Sequence, residues 1–219
     1  MTVDFRLYLI TDRKVAKKPL PEAVRLALEG GVKAVQLREK DLPVRELLSL
    51  AQELRSVTRE FGAKLFINDR LDVATLVGAD GIHLGEQSMP ADAVRKVVGK
   101  SLQIAVSTHS VNEAKAAQDG GADFITYGPI FETPSKTKYG APVGAKSIIN
   151  IRNEFSIPIY AIGGINSGNM LQVLSAGADG IAVISAIMAA EDIQKTAAAY
   201  DKALTAISKV VCTDDCLPR

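Results

Sequence analysis

The sequence has little net charge, few cysteines and no long apolar run, and each shortage excludes a class of function. Its 26 basic and 25 acidic side chains leave a net charge of +1, so composition gives no reason to expect nucleic acid or a membrane as a partner. No apolar run is long enough to cross a bilayer, and the segment 1–6 lacks the apolar core of a signal peptide. We therefore expect a cytoplasmic protein.

The two cysteines, Cys212 and Cys216, both lie in a polar C-terminal segment. A Cys-x3-Cys pair needs a second pair to make a familiar metal site, and the sequence has none. We interpret both side chains as free, reduced thiols, as is usual in the cytosol. The segment 211–219 is expected to be a flexible tail outside the folded domain.

What the chain does have is a regular alternation of short apolar runs and amphipathic segments. Eight runs that predict strands begin near residues 6, 34, 64, 81, 102, 123, 158 and 180, with helical patterns between them. Strands that alternate with helices favour a parallel sheet, covered on both faces when the strands are apolar throughout. Eight similar units favour an α/β fold of the (β/α)8 TIM-barrel type, in a single domain over 1–210. A doubly wound open sheet is the alternative.

A weak internal repeat precedes the even-numbered strands. Gly-Ala-Asp occurs at residues 78–80, 121–123 and 177–179, and Gly31-Val32-Lys33 is a weaker copy. Each glycine is predicted to be the C-cap of the preceding helix. We therefore interpret the repeat as structural rather than functional.

Two strand ends have the pattern of a phosphate site. The run at 158–162 ends in Gly163-Gly164 and is followed by good helix N-caps, and the next run ends near Ser185. Backbone N–H groups at a helix start favour an anion, and strands 7 and 8 of a barrel commonly share one phosphate. A shared phosphate site is the prediction, and simple tight turning is the alternative.

Basic residues follow the second strand at the end where a barrel has its active site. Arg38 and Lys40 are spaced so that both could point the same way, and a planar guanidinium with a mobile ammonium suits a diphosphate. Ordinary ion pairs to Glu39 or Asp41 are the alternative.

An amide and a carboxylate follow the third strand. Asn68 and Asp69 are expected to lie next to the predicted diphosphate site. A carboxylate beside a diphosphate suggests Mg²⁺, which takes few protein ligands and completes its coordination with phosphate oxygens and water. Capping of the following helix is the alternative.

The other polar candidates are a loop and the two histidines. The loop 129–144 is long enough to be a lid, and its hydroxyls and Lys136 could close over anionic groups; a solvated basic loop is the alternative. His83 alternates with apolar residues and is expected to point into the barrel. His109 lies at a strand end, where it could contact substrate.

Together these residues resemble the thiamine phosphate synthase family. The matching stretches are Gln36-Leu37-Arg38-Glu39-Lys40, Asn68-Asp69, Gly81-Ile82-His83-Leu84-Gly85, Ser107-Thr108-His109, Gly128-Pro129-Ile130-Phe131, Ser135-Lys136, Ala161-Ile162-Gly163-Gly164-Ile165 and Val183-Ile184-Ser185-Ala186. The resemblance runs in register from about residue 6 to 190. It implies that a hydroxymethylpyrimidine diphosphate joins a thiazole phosphate, through a pyrimidine carbocation, to give thiamine phosphate and diphosphate.

The resemblance also implies roles for individual residues. On the pyrimidine diphosphate side they are Gln36, Arg38, Lys40, Asn68, Ser107 and Lys136. On the thiazole phosphate side they are Thr133, Ser135, Gly164, Ile184 and Ser185. The implied cofactor is Mg²⁺, with Asp69 as a ligand and Ser88 at a second metal position. The implied catalytic set is Arg38, Lys40, Lys136 and His109.

One departure from the family leaves alternatives open. The family usually has a second metal carboxylate where this chain has Ser88. Either Asp69 suffices with diphosphate and water, or Glu86 compensates, or the metal is not used. The last option points to the related thiazole tautomerases, which need no metal, with His109 as proton carrier. The retained diphosphate residues favour the synthase.

A third possible class is a non-catalytic barrel that binds a phosphorylated ligand. The complete set of polar strand ends argues against it. The sequence does not predict an oligomeric state.

Overall fold

Eight parallel strands, each paired with its neighbours in the chain, close into a barrel when β8 pairs with β1. The computed structural model describes residues 3–133 and 141–214, with side chains up to residue 206. The strands are β1 Leu7–Ile10, β2 Ala34–Leu37, β3 Lys64–Asn68, β4 Gly81–Leu84, β5 Gln103–Thr108, β6 Phe124–Tyr127, β7 Ile159–Ile162 and β8 Gly180–Val183. The predicted TIM barrel is confirmed, and the open sheet is excluded.

Helices follow the strands and cover the outside of the barrel. They are α1 Leu20–Glu29, α2 Val44–Glu60, α3 Leu71–Val77, α4 Ala91–Val98, α5 Val111–Asp119, α6 Lys146–Glu154, α7 Met170–Ser175, α8 Ser185–Met188 and α9 Ile193–Asp214. In α2 the buried residues Leu47, Ala51, Leu54 and Val57 are spaced three or four apart. That spacing places them on one face, which packs against the sheet.

Five aromatic side chains, including Phe5, pack together inside the barrel. Tyr8, Phe66, Phe124 and Tyr160 are at most 1% exposed, and the Phe66 and Phe124 rings meet edge to face at 5.4 Å. Burial of each such ring contributes about 1.5–3 kcal/mol to folding. A Cβ on Gly81 would lie 2.3 Å from the Phe66 ring, so the absence of a side chain there makes room for the aromatic layer.

An ion pair recurs below the even-numbered strands and explains the sequence repeat. Arg95 Nη2 lies 2.6 Å from Asp123 Oδ2, and the same oxygen accepts the N–H of Ile104 at 2.7 Å. Each such clamp ties a helix, a strand start and the preceding strand together. The other two clamps are Arg55–Asp80 with the Leu65 N–H, and Arg152–Asp179 with the Ile159 N–H. The fourth copy has Lys33, which is exposed.

The repeat glycines differ slightly from the prediction. Gly78 is the C-cap of α3 in the left-handed conformation. Gly31, Gly121 and Gly177 instead follow the cap residue, with φ between 81° and 102°. The positive φ, rather than the cap position itself, is therefore what the four sites share.

The chain differs from the prediction after β7 and β8. No helix starts directly after Gly163-Gly164, because α7 begins only at Met170. A short helix that the sequence did not predict, α8, begins immediately after β8 at Ser185. The last helix continues to Asp214, beyond residue 210, where the sequence suggested that the domain ends. Among the helices that the structure describes, none has the length and apolarity needed to cross a bilayer.

Candidate active site

Strand pairing brings the predicted site residues to one end of the barrel. Asn68 pairs with His83, and Ser107 pairs with Thr126, so the C-terminal ends of β3 to β6 lie side by side. The active site of a (β/α)8 barrel lies at this end, because side chains from several strands and their loops meet there.

The two cations after β2 do not form the ion pairs offered as an alternative. Glu39 and Asp41 instead bind Arg13, at 3.0 Å and 2.6 Å. Among the described residues, neither Arg38 nor Lys40 has a carboxylate within ion-pair distance. The two positive charges are therefore available to an anion from outside the chain.

Arg38, Lys40 and Asp69 lie close enough to influence one another. Loss of solvation and the Arg38 guanidinium lower the pKa of Lys40, while the Asp69 carboxylate opposes that shift. Charges that affect a pKa in this way are neighbours in the fold. The ends of β2 and β3 thus bring two cations and one carboxylate into the same region of the site.

Asp69 has an unusual backbone conformation. Its φ of 63° is the only positive value at a non-glycine residue in the described part of the chain. Its N–H donates to the His83 carbonyl at 2.9 Å, which fixes the turn. Strained backbone of this kind is concentrated at functional sites. The helix-capping alternative fails, because the N-cap of α3 is Arg70 and no side chain caps that helix.

A buried amide pair joins β2 to β3. Gln36 is 1% exposed, and its Nε2 donates to Asn68 Oδ1 at 3.3 Å. Within the described ranges, Gln36 Oε1 has no hydrogen-bond partner. A buried acceptor without a partner is costly, so its position suits a ligand that brings a donor.

A line of polar groups crosses the barrel beside this cluster. His83 is 2% exposed and points into the barrel, as predicted. Its Nδ1 lies 3.2 Å from the Tyr8 hydroxyl, and its Nε2 lies 2.8 Å from Ser107 Oγ. Burial raises the pKa of Tyr8 well above its usual value, so the phenol keeps its proton. Ser107 is thereby held in place from inside the barrel.

His109 is bound to the neighbouring strand end. Its Nδ1 forms a hydrogen bond with the Gly128 carbonyl, and its backbone N–H donates to Glu113 at 2.7 Å. Because a carbonyl only accepts, Nδ1 carries the hydrogen in this arrangement. The ring is therefore fixed at the β5–β6 edge of the site.

Four of the predicted phosphate residues line one small cavity. Thr133, Gly164, Ile184 and Ser185 border a space of about 60 Å³ between the ends of β7 and β8. Ser185 starts α8, and the first N–H groups of a helix have no partner within it. A Cβ on Gly164, whose φ is 65°, would lie 2.7 Å from the Glu132 carbonyl. Gly164 therefore permits the close approach of two loops at the cavity.

Two predicted residues, Ser135 and Lys136, lie outside the described residues. Their predicted contacts with substrate stay predictions.

The site offers few possible ligands for Mg²⁺. The described residues contain no group of three or more His, Cys, Asp or Glu side chains that could hold a metal. Ser88 Oγ accepts the Gly85 N–H at 2.7 Å and closes a turn. Asp69 remains as a charged oxygen donor beside the two cations. This set suits Mg²⁺ only if phosphate oxygens and water supply most of its ligands.

Sequence reasoning missed contributions from the first strand. Tyr8 contacts His83, and Thr11 and Arg13 contact Glu39. The rule applied to the other strands, that polar residues at the C-terminal end belong to the site, would have identified Thr11 and Arg13 as well.

Comparisons with known proteins identify relatives over most of the chain. Residues 7–187 match the family model described as "Thiamine monophosphate synthase". A protein of Geobacter sulfurreducens is 52% identical over 90% of this chain and 93% of its own. The thiamine-phosphate synthase of Chloroflexus aurantiacus is 45% identical over 94% of this chain and 95% of its own. The structure of thiamine phosphate pyrophosphorylase from Pyrococcus furiosus is similar, with a TM-score of 0.86 and 41% identity over 93% of this chain and 96% of that one.

Proposed function

Because the chain belongs to the thiamine monophosphate synthase family, we propose that it joins a hydroxymethylpyrimidine diphosphate to a thiazole phosphate. The products are thiamine phosphate and diphosphate. The chain is thus an enzyme of the transferase class, and both substrates are small phosphorylated molecules.

The observation that carries the proposal is that Arg38 and Lys40, near Asp69, form no ion pair with any carboxylate in the described part of the chain. A diphosphate brings several negative charges, and Arg38 and Lys40 offer a planar fork and a point charge to hold them. The cavity at the ends of β7 and β8 offers a second anion site. Two separate anion sites at one end of a barrel fit a reaction between two phosphorylated substrates.

The chemistry follows from what these charges stabilise. The C–O bond of the pyrimidine diphosphate breaks first, and its electron pair leaves with the diphosphate. The thiazole nitrogen then donates its lone pair to the resulting carbocation and forms the C–N bond. Arg38, Lys40 and Lys136 favour the first step because they stabilise the charge that develops on the leaving group.

The pyrimidine ring belongs beside Gln36 and Ser107. The buried Oε1 of Gln36 can accept from an exocyclic amino group, which would satisfy its missing hydrogen bond. If the Tyr8 hydroxyl donates to His83 Nδ1, then His83 Nε2 carries the hydrogen and donates it to Ser107 Oγ. The Ser107 hydroxyl hydrogen can then be donated to a ring nitrogen of the pyrimidine. Asn68 holds Gln36 in place from β3.

The thiazole phosphate belongs in the cavity at the ends of β7 and β8. Thr133 and Ser185 supply hydroxyl groups there, Gly164 and Ile184 supply backbone, and Ser135 is expected to join them from the loop. Uncapped N–H groups at the start of a helix are suitable donors to phosphate oxygens.

Mg²⁺ is proposed to accompany the diphosphate. Asp69 would hold it from the protein side, and the ion would supply additional positive charge to the leaving group. His109 is kept as a candidate catalytic residue, although its Nδ1 is already bound to a carbonyl.

Neither alternative class has comparable support. A tautomerase has no diphosphate to hold, yet the diphosphate cations are present and the relatives carry the synthase name. A non-catalytic barrel would not need both anion sites. The cytoplasmic location and the absence of a nucleic-acid partner stay predictions.

The test is a coupling assay with both substrates and Mg²⁺. We expect thiamine phosphate to form, and a Lys40→Gln variant to form it much more slowly. A Lys195→Gln variant, which removes a charge from α9, serves as the matched control. A folded protein that yields no thiamine phosphate, with or without metal, contradicts the proposal. Conversion of thiazole carboxylate phosphate without metal would instead support the tautomerase.

A further inference from the structure

Charges alternate along the segment that follows β2. Arg38, Glu39, Lys40 and Asp41 read plus, minus, plus, minus. Opposite charges that are adjacent in sequence tend to neutralise one another, and a neutralised pair binds an anion weakly. A diphosphate site on this segment therefore needs something that keeps the two carboxylates away from the two cations.

One guanidinium holds both carboxylates. Arg13 Nη1 lies 3.0 Å from Glu39 Oε2 and 2.6 Å from Asp41 Oδ1, and Nη2 lies 3.0 Å from Asp41 Oδ2. Lys14 adds a contact to Asp41 at 2.8 Å. These hydrogen bonds raise the pKa of Arg13 and lower the pKa of Asp41, so both partners stay charged. The planar fork of arginine is suited to such bridging, whereas a lysine is not.

Glu39 is also fixed by neutral hydrogen bonds. Its side chain is 2% exposed and accepts from Thr11 Oγ1 at 2.8 Å and from the Arg13 N–H at 3.1 Å. The Thr11 hydroxyl in turn accepts the Arg38 N–H at 2.9 Å. The loop after β1 thus fixes the backbone of Arg38 and binds the Glu39 carboxylate, so that Glu39 does not pair with the cations.

We propose that Arg13 is a positioning residue for the diphosphate, because it binds Glu39 and Asp41 and so keeps these two carboxylates from pairing with Arg38 and Lys40. The inference rests on the proposed function, since it names a further residue of the same site. Without Arg13, Asp41 keeps only its contact with the exposed Lys14 and can turn toward its neighbour Lys40, so the anion must compete with a carboxylate for that charge.

The test measures binding of inorganic pyrophosphate with Mg²⁺ to the full chain by titration calorimetry. Arg13→Gln is expected to raise the Kd about tenfold. The KM for the thiazole phosphate is expected to stay within about twofold, because that anion binds at the other end of the site. The matched control is Lys17→Gln, which removes a positive charge from the same loop, where Lys17 pairs with Glu191. It is expected to bind pyrophosphate like the wild type.

Arg13 could act by keeping Asp41 away from Lys40, or merely by supporting the loop after β1. A second substitution distinguishes these two effects. Adding Asp41→Asn to Arg13→Gln removes the competing carboxylate, so we expect most of the pyrophosphate affinity to return. Failure of this rescue, or unchanged affinity in Arg13→Gln, overturns the inference. If Arg13→Gln does not fold, Arg13→Lys, which can hold only one of the two carboxylates, is tested with the same rescue. Absence of pyrophosphate binding in the wild type would instead contradict the proposed function.

Discussion

His83 Nε2 lies 2.8 Å from Ser107 Oγ, and the other ring nitrogen lies 3.2 Å from the buried Tyr8 hydroxyl. This line of contacts connects the barrel interior to the predicted pyrimidine site. We expect Tyr8→Phe to raise the KM for the pyrimidine diphosphate about fivefold, the worth of one hydrogen bond. Steady-state kinetics with each substrate varied in turn measures the effect.

Tyr160 provides the control for this prediction. It is a second buried tyrosine of the barrel interior, but its hydroxyl donates to the Phe5 carbonyl, away from His83. Tyr160→Phe is expected to lower stability without a change in either KM. Equal changes in KM for the two variants would show that the Tyr8 effect is one of packing alone.

The lowered pKa of Lys40 predicts how diphosphate binding depends on pH. Lys40 is charged below its pKa, so affinity is highest there and falls as the pH rises through a value lower than that of an ordinary lysine. A bound diphosphate favours the charged ammonium, so binding at alkaline pH should take up a proton. Calorimetry of pyrophosphate binding in buffers of different ionisation enthalpy measures this uptake, which Lys40→Gln should abolish. Proton release on binding would contradict the assignment.

The sequence predicted most of the fold for a simple physical reason. Strands such as β7 are apolar throughout because they are buried on both faces. Amphipathic helices such as α2 have apolar residues spaced three or four apart, which predicts a helix from the sequence. The short helix α8 spans only residues 185–188, which is too few for a periodic pattern.

The candidate site was predicted only where strand ends could be read directly. Arg38, Asp69 and Ser185 follow strands in the sequence, so the barrel rule located them. The same rule applies to Arg13, which follows β1, but it does not predict the pairing of Arg13 with Glu39, which lies 26 residues away. Contacts between distant segments depend on how the barrel closes, so local sequence patterns do not predict them.

The recurring Arg–Asp clamp predicts a large loss of stability on removal of its carboxylate. Asp123→Ala leaves the Arg95 guanidinium and the buried Ile104 N–H without their partner. We expect the free energy of unfolding to fall by about 2–3 kcal/mol, measured by urea denaturation. Asp119→Ala is the control, because its pair with Lys115 is exposed, and it should change stability by less than about 0.5 kcal/mol. Similar losses for both would contradict a structural role for the clamp.

Gly164 predicts a selective effect at the thiazole phosphate cavity. An alanine there must adopt a φ of 65° and would bring Cβ within 2.8 Å of Phe131 Cβ. The resulting strain should move the loop that borders the cavity and raise the KM for the thiazole phosphate roughly tenfold. Gly168→Ala, in the same loop but without a positive φ, should stay within about twofold of the wild type. An unchanged KM in Gly164→Ala would remove this loop from the phosphate site.

Ser88 predicts how the enzyme depends on Mg²⁺. Its hydroxyl closes a turn by accepting the Gly85 N–H at 2.7 Å, so we expect it to contribute little to metal binding. Ser88→Ala should leave the Mg²⁺ concentration for half-maximal pyrophosphate binding within about twofold of the wild type. Ser88→Asp should lower that concentration about fivefold, because a carboxylate is a far better ligand than a hydroxyl. Calorimetric titrations at several Mg²⁺ concentrations measure both, independently of turnover. A large increase for Ser88→Ala would mean that the hydroxyl does bind the metal, and that the turn in this structure opens when the ion arrives.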